Sequence, residues 1–395
     1  MDNQADRPTQ IYGLDMLRCF AASLVMIYHF TYLEWANPGA RGTALGMLFR
    51  VFEPVTPLVG TGWVGVEIFF VISGFVIAYT ANGKSAISFF NSRVLRLVPG
   101  VWICATLSLP MLLLSGLSLP RTLHEYVASL VLFPVPPWVA SSYWTLPIEI
   151  VFYASVFALL WRDAFRRVER LIWAIGGASA AVWALTFASP LLPDASARIV
   201  HVFANSRVTE WLLFQHGCFF ALGTMLWIVH ARRMTAVRLT GLALFGVTCV
   251  LEIVHECGKA AEWSGVPQQA WIPVAYWMGA VLFLVASIRF KDEVHALLGR
   301  RRKSVKALGL ATFPIYLLHQ PVGIPIVAGL MRNGMPAAIA LLVAIGVVLV
   351  LSLLVALRLE PVLRQIFGVW LGKFEKRLPK GLAHLRLPSR GLEAQ

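Results

Sequence analysis

The apolar residues of this chain fall in blocks of about 20, and no other feature narrows its fold so far, because that is the length an α-helix needs to cross the hydrocarbon core of a bilayer. Ten blocks qualify: residues 14–32, 62–80, 101–119, 143–161, 171–188, 211–230, 239–253, 271–288, 308–330 and 337–357. The blocks 171–188 and 239–253 are the shortest. Backbone in lipid must satisfy its own hydrogen bonds, so spans this long are helices and not barrel strands. The expected fold is therefore all-α, a polytopic transmembrane bundle of about ten spans. Composition agrees, with 58% hydrophobic and 14% charged residues where a soluble domain carries about 25% charged. Residues 1–10 hold Asp2, Asp6 and Arg7 and are not net positive. The first block thus reads as a helix of the mature protein and not as a cleaved signal.

The net charge is +14. In a soluble protein that would point to nucleic acid; here its placement follows the positive-inside rule instead, and no nucleic-acid partner is expected. With the N-terminus in the cytoplasm, 26 Lys and Arg fall on the inner side and 7 on the outer, with Arg18 inside the first span. Both termini are then cytoplasmic. Three regions follow: a cytoplasmic segment 1–13, a membrane domain 14–357 and a basic cytoplasmic tail 358–395, read as an interfacial helix with a disordered end. The segment 120–142 is expected to fold against the membrane surface. The run Arg300–Lys303 reads mainly as topology signal and contact with anionic lipid. The five cysteines include no C-x-x-C pair, so neither a disulfide framework nor a metal site is expected.

Ionisable groups inside the bilayer carry the chemistry, since each costs on the order of 3 kcal/mol or more at the centre of a span. Arg18 and His29 are eleven residues apart, which puts them on one helix face with about 16 Å of rise between them. Arg18 sits near the cytoplasmic end, where it also reads as a snorkelling anchor. Topology places His29, Glu67, Glu149 and His319 together in the outer half of the membrane. A base with a carboxylate to orient it is what general acid–base catalysis needs. Ser73 and Gly74, mid-span, read as packing residues. Arg93 and Arg96, at i and i+3 before the third block, share a face at the cytoplasmic surface. Such a pair can clamp a phosphate or simply anchor the chain.

These residues lie in five ordered motifs: Arg18-x10-His29, Gly65-Val-Glu-Ile-Phe-Phe-Val-Ile-Ser-Gly-Phe75, Arg93-x-x-Arg96-x-x-Pro99, Trp144-Thr-Leu-Pro-Ile-Glu149-x-x-Phe-Tyr153 and Ile315-Tyr-Leu-Leu-His319-Gln-Pro321. Together they resemble acyltransferase family 3, and the resemblance covers nearly the whole chain. Two departures stand out: Glu67 where aspartate is common, and no appended hydrolase-like domain.

The resemblance implies transfer of an acyl group, most simply acetyl, from acyl-coenzyme A to a hydroxyl of a carbohydrate or glycolipid. Acyl-CoA is then a co-substrate, and no permanently bound cofactor is implied. His29 is the expected general base. Glu149 would act with it as one unit, orienting or charge-stabilising it, or would hold the acceptor. Arg93 and Arg96, with Arg18, would bind the donor phosphates. Glu67, His319, Tyr153 and Trp144 are further candidates. A bacterial inner membrane is the expected location, and a homo-oligomer is left open. The rival class is a proton- or ion-coupled transporter, which uses the same residue types; the absence of an internal repeat weighs against it.

Overall fold

A chain whose backbone must hydrogen-bond within itself has few choices in a membrane, and the computed structural model takes the helical one. It describes residues 10–37 and 44–377, which contain helices and turns and no strand. Arg7, Pro38 and Arg41 and the tail end 378–395 lie outside the described residues.

Ten long helices are, in order, α1 Tyr12–Tyr28, α2 Gly65–Ala81, α3 Ala86–Leu114, α4 Thr145–Trp161, α5 Val168–Ala188, α6 Gly217–Ala231, α7 Ala236–Ser264, α8 Trp271–Arg289, α9 Arg302–Leu318 and α10 Ala337–Leu354. Among the described residues, nine continuous helical stretches are long and apolar enough to cross a membrane, and α6 is a shorter tenth. A further helix, α11 (Glu360–Arg377), continues from α10 through a π-helical turn at Val355–Leu359. The bundle is a multi-pass membrane protein, as the apolar blocks require.

Several helix limits differ from the blocks. The block 239–253 is short only because His255, Glu256 and Lys259 follow it; α7 runs unbroken to Ser264, where Gly265 ends it with a left-handed φ of 63°. The block 211–230 splits instead, with a turn at 212–216 in which Leu213 takes φ 65°. The third block extends towards its N-terminus. Ser85 caps α3 by accepting from the Ser88 N–H, so Arg93 and Arg96 lie on the helix itself and not in a preceding loop. The segment after α3 includes a helix, Leu119–Leu130.

Helices in lipid gain no hydrophobic free energy by meeting, so small residues that allow close approach decide where they pack. The α2–α6 contact is the most extensive in the bundle, and it turns on two glycines. A Cβ at Gly74 would lie 2.3 Å from the Phe220 carbonyl oxygen, and one at Gly223 would lie 2.0 Å from that of Val71. Short as it is, α6 is buried almost all round, as expected of a uniformly apolar helix in a bundle centre. The second most extensive contact joins α1 to α9, which brings the two histidine motifs side by side.

Candidate active site

His29 and His319 occupy equivalent positions. Each is the first residue of a π-helical turn, His29–Leu33 following α1 and His319–Gly323 following α9. Single π turns inside helices are frequent at functional sites. In the second, Pro321 has no N–H to offer the ladder. The two turns pack closely, since a Cβ at Gly323 would sit 2.1 Å from Phe30 Cζ. The imidazole centroids are 4.8 Å apart, and His319 Nε2 lies 3.1 Å from His29 Nδ1.

The surrounding carbonyls assign the tautomers. His29 Nδ1 is 2.8 Å from the Val25 oxygen, and His319 Nδ1 is 3.1 Å from that of Ile315. A carbonyl can only accept, so both Nδ1 atoms carry hydrogen. His319 Nε2 is then unprotonated and accepts from the His29 Nδ1–H, which it shares with Val25. His29 is left with a lone pair on Nε2, the form a general base requires. His319 is fully buried behind it.

Two cavities lie nearby, and the second of them reaches His29. The first, of 310 Å³, is lined by Arg18, Arg93, Arg96 and Arg364 together with Glu149 and Tyr153. Arg93 lies over the Phe89 and Tyr153 rings at 5.3 and 5.5 Å, and Arg96 over Phe313 at 5.2 Å. Among the described residues neither is in an ion pair, whereas Arg18 and Arg364 are paired with Asp15 and Glu360. Arg93 also donates to Ser92 Oγ and Thr80 Oγ1, at 3.3 Å each; stacked guanidiniums without a carboxylate partner suit a phosphate.

The second cavity, of 1060 Å³, is lined by His29, Glu67, Trp144 and His216 among others. Val66 and Tyr316 line both cavities. Tyr316 is held at that partition by a 3.1 Å hydrogen bond between its hydroxyl and Thr145 Oγ1. Gln320, next to His319, braces the entry to α4 by accepting from the Ser142 N–H at 3.0 Å and bonding Ser141 Oγ.

The sequence candidates thus divide. Arg18, Arg93, Arg96, Glu149 and Tyr153 meet in the arginine cavity, while His29, Glu67 and Trp144 meet in the other. Glu149 and His29, expected to act together, have different partners. Glu149 Oε1 accepts from Ser73 Oγ at 2.9 Å and Tyr153 OH at 2.6 Å; His29 is held by Val25 and His319. Ser73 is thereby part of the site and not merely a packing residue.

Sequence reasoning passed over His216 and Glu252. His216 precedes α6 and Glu252 lies on α7, and both come together with Glu67. One signal was available: Glu252 and Glu256, at i and i+4, mark a polar face on an otherwise apolar span.

Residues 11–357 match the family model described as an acyltransferase domain. The chain belongs to acyltransferase family 3. Over 201 residues it is 29% identical to nodulation protein 10 of Rhizobium leguminosarum bv. viciae, covering 44% of this chain and 51% of that protein. Over 123 residues it is 37% identical to the exopolysaccharide production protein ExoZ of Rhizobium meliloti, covering 28% and 38%. With acyltransferase MdmB of Streptomyces mycarofaciens it shares 25% identity over 337 residues, covering 79% of each. The chain spans about half the length of the first of these relatives and less of the second. No solved structure matches the chain. Both histidines and the second cavity lie within the matched residues, as does the arginine cavity except for Arg364.

Proposed function

We propose that this acyltransferase moves an acyl group, most simply acetyl, from acyl-coenzyme A to a hydroxyl of a carbohydrate or glycolipid. The observation that carries the reading is the meeting of two unlike cavities at Val66 and Tyr316, one rich in arginine and the other bearing the free Nε2 of His29. Phosphates of the donor would bind Arg93 and Arg96, with Arg18 and Arg364 beside them. The thin pantetheine arm would pass Tyr316 and bring the thioester to His29, a distance matched to the roughly 16 Å rise from Arg18 to His29. Glu149 stands along this path, fixed by Ser73 and Tyr153, with lone pairs left for an amide N–H of the arm.

In the step itself, His29 Nε2 takes the proton of the acceptor hydroxyl as its oxygen attacks the thioester carbonyl. The tetrahedral intermediate collapses with cleavage of the C–S bond. The leaving thiolate recovers the proton from the imidazolium, giving ester and free coenzyme A and returning His29 to its starting form. His319 and the Val25 carbonyl stabilise the charged ring from behind.

The 26-to-7 distribution of Lys and Arg supports both termini, and the arginine cavity, on the cytoplasmic side of a bacterial inner membrane. The second cavity would open outward. Domain 14–357 would carry the reaction and 358–395 would form the tail. A carbohydrate acceptor accords with the exopolysaccharide protein among the relatives.

The test is release of coenzyme A thiol from acetyl-CoA by purified protein in nanodiscs, with and without glycan acceptors. Acceptor-dependent release is expected. No release with any acceptor, together with proton-driven uptake in vesicles, would establish the transporter reading instead.

A further inference from the structure

Glu67 on α2, His216 at the start of α6 and Glu252 on α7 point their side chains at one spot. Their donor atoms all lie within 4.8 Å of one another, and the residues are 3%, 4% and 0% exposed. Glu67 Oε2, His216 Nδ1 and both oxygens of Glu252 make no hydrogen bond, although His216 Nδ1 approaches Glu252 Oε1 to 3.1 Å. Buried polar atoms nearly always have partners, and two carboxylates are costly to bury unless paired or bound to a metal. The nearby cations are engaged elsewhere: Lys259 with Glu256 at 2.7 Å and Arg207 with Glu210. The His216 ring is held in place by Phe70 and Trp144, at centroid distances of 5.3 and 5.6 Å.

We propose that Glu67, His216 and Glu252 bind a divalent transition cation of the zinc or manganese class. Two carboxylates balance its charge, and one imidazole adds the nitrogen donor these metals accept. Bonds of about 2.0–2.2 Å would draw the three donors slightly closer than they stand here. Three protein ligands leave an open coordination position. Glu67 and His216 line the second cavity and Glu252 does not, so that position faces the space beside His29. The set contains no cysteine, so the cysteine spacing of the chain carries no trace of it. Metal binding here does not depend on the acyl-transfer reading.

The purified protein, stripped with chelator and desalted, would be incubated separately with Zn²⁺ and Mn²⁺ and desalted again. Bound metal by mass spectrometry and thermal unfolding are the two readouts. A single cation retained per chain, with a raised Tm, is expected for one of the two metals; Glu252→Gln should bring both back to the apo level. If that variant does not fold, Glu67→Gln serves in its place. Folded wild-type protein that retains neither cation and shows no shift in Tm would overturn the proposal. So would full retention by Glu252→Gln, which would place the metal elsewhere.

Discussion

Replacing His319 should slow the reaction without removing its base. The structure gives His319 one contact with the proposed chemistry, the 3.1 Å approach of its Nε2 to His29 Nδ1. A buried hydrogen bond of this kind contributes about 0.5–1.5 kcal/mol net, and about 1.4 kcal/mol is tenfold in rate. His319→Ala should therefore lower kcat by about two- to tenfold, with donor KM little changed, since the arginine cavity is untouched. His319→Gln, whose amide oxygen can accept from the His29 ring, should recover part of that loss. His29→Ala deletes the base and should cost about 10²–10⁴. The double variant should be no worse than His29→Ala, because His319 acts only through His29. The assay is acetyl transfer per folded molecule in nanodiscs. Turnover by folded His29→Ala within a few-fold of wild type would refute the assignment. A loss in His319→Ala as deep as in His29→Ala would make His319 the base.

Arg93→Ala or Arg96→Ala should weaken donor binding more than acceptor binding, with lysine restoring each only in part because an ammonium lacks the bidentate fork; calorimetry with coenzyme A checks this. Gly74→Ala and Gly223→Ala should each destabilise the protein by about 1–3 kcal/mol, seen as a lower Tm, since each Cβ meets backbone of the facing helix. Reporter fusions at Gln395 and near Gly42 should report a cytoplasmic C-terminus and an outward 33–61 segment; an outward C-terminal signal would reverse the topology.

The membrane fold was open to sequence because block length alone separates spanning helices from soluble ones. Helix ends were less so. α7 continues past Ile253 because its polar residues face protein and a cavity, where they cost less than in lipid, and hydropathy cannot tell those surroundings apart. The break at Leu213 carries no Gly or Pro to announce it. Topology could place His29 and His319 at one depth, but not show that two π turns, 290 residues apart, set them ring to ring. Depth also grouped Glu149 with His29, whereas the rotation of α4 turns it towards Ser73 and the arginines. The Glu67–His216–Glu252 set leaves no sequence pattern, because its members sit on two helices and the turn before a third and no two share a motif.

The central claim is that a donor enters through the arginine cavity and reaches His29. The most direct measurement is a cryo-electron microscopy structure with a non-hydrolysable thioether analogue of acetyl-CoA. The account predicts donor phosphates on Arg93 and Arg96, the arm passing Val66 and Tyr316, and the acetyl carbonyl beside His29 Nε2. Phosphates bound in the second cavity, or an acetyl group remote from His29, would contradict it.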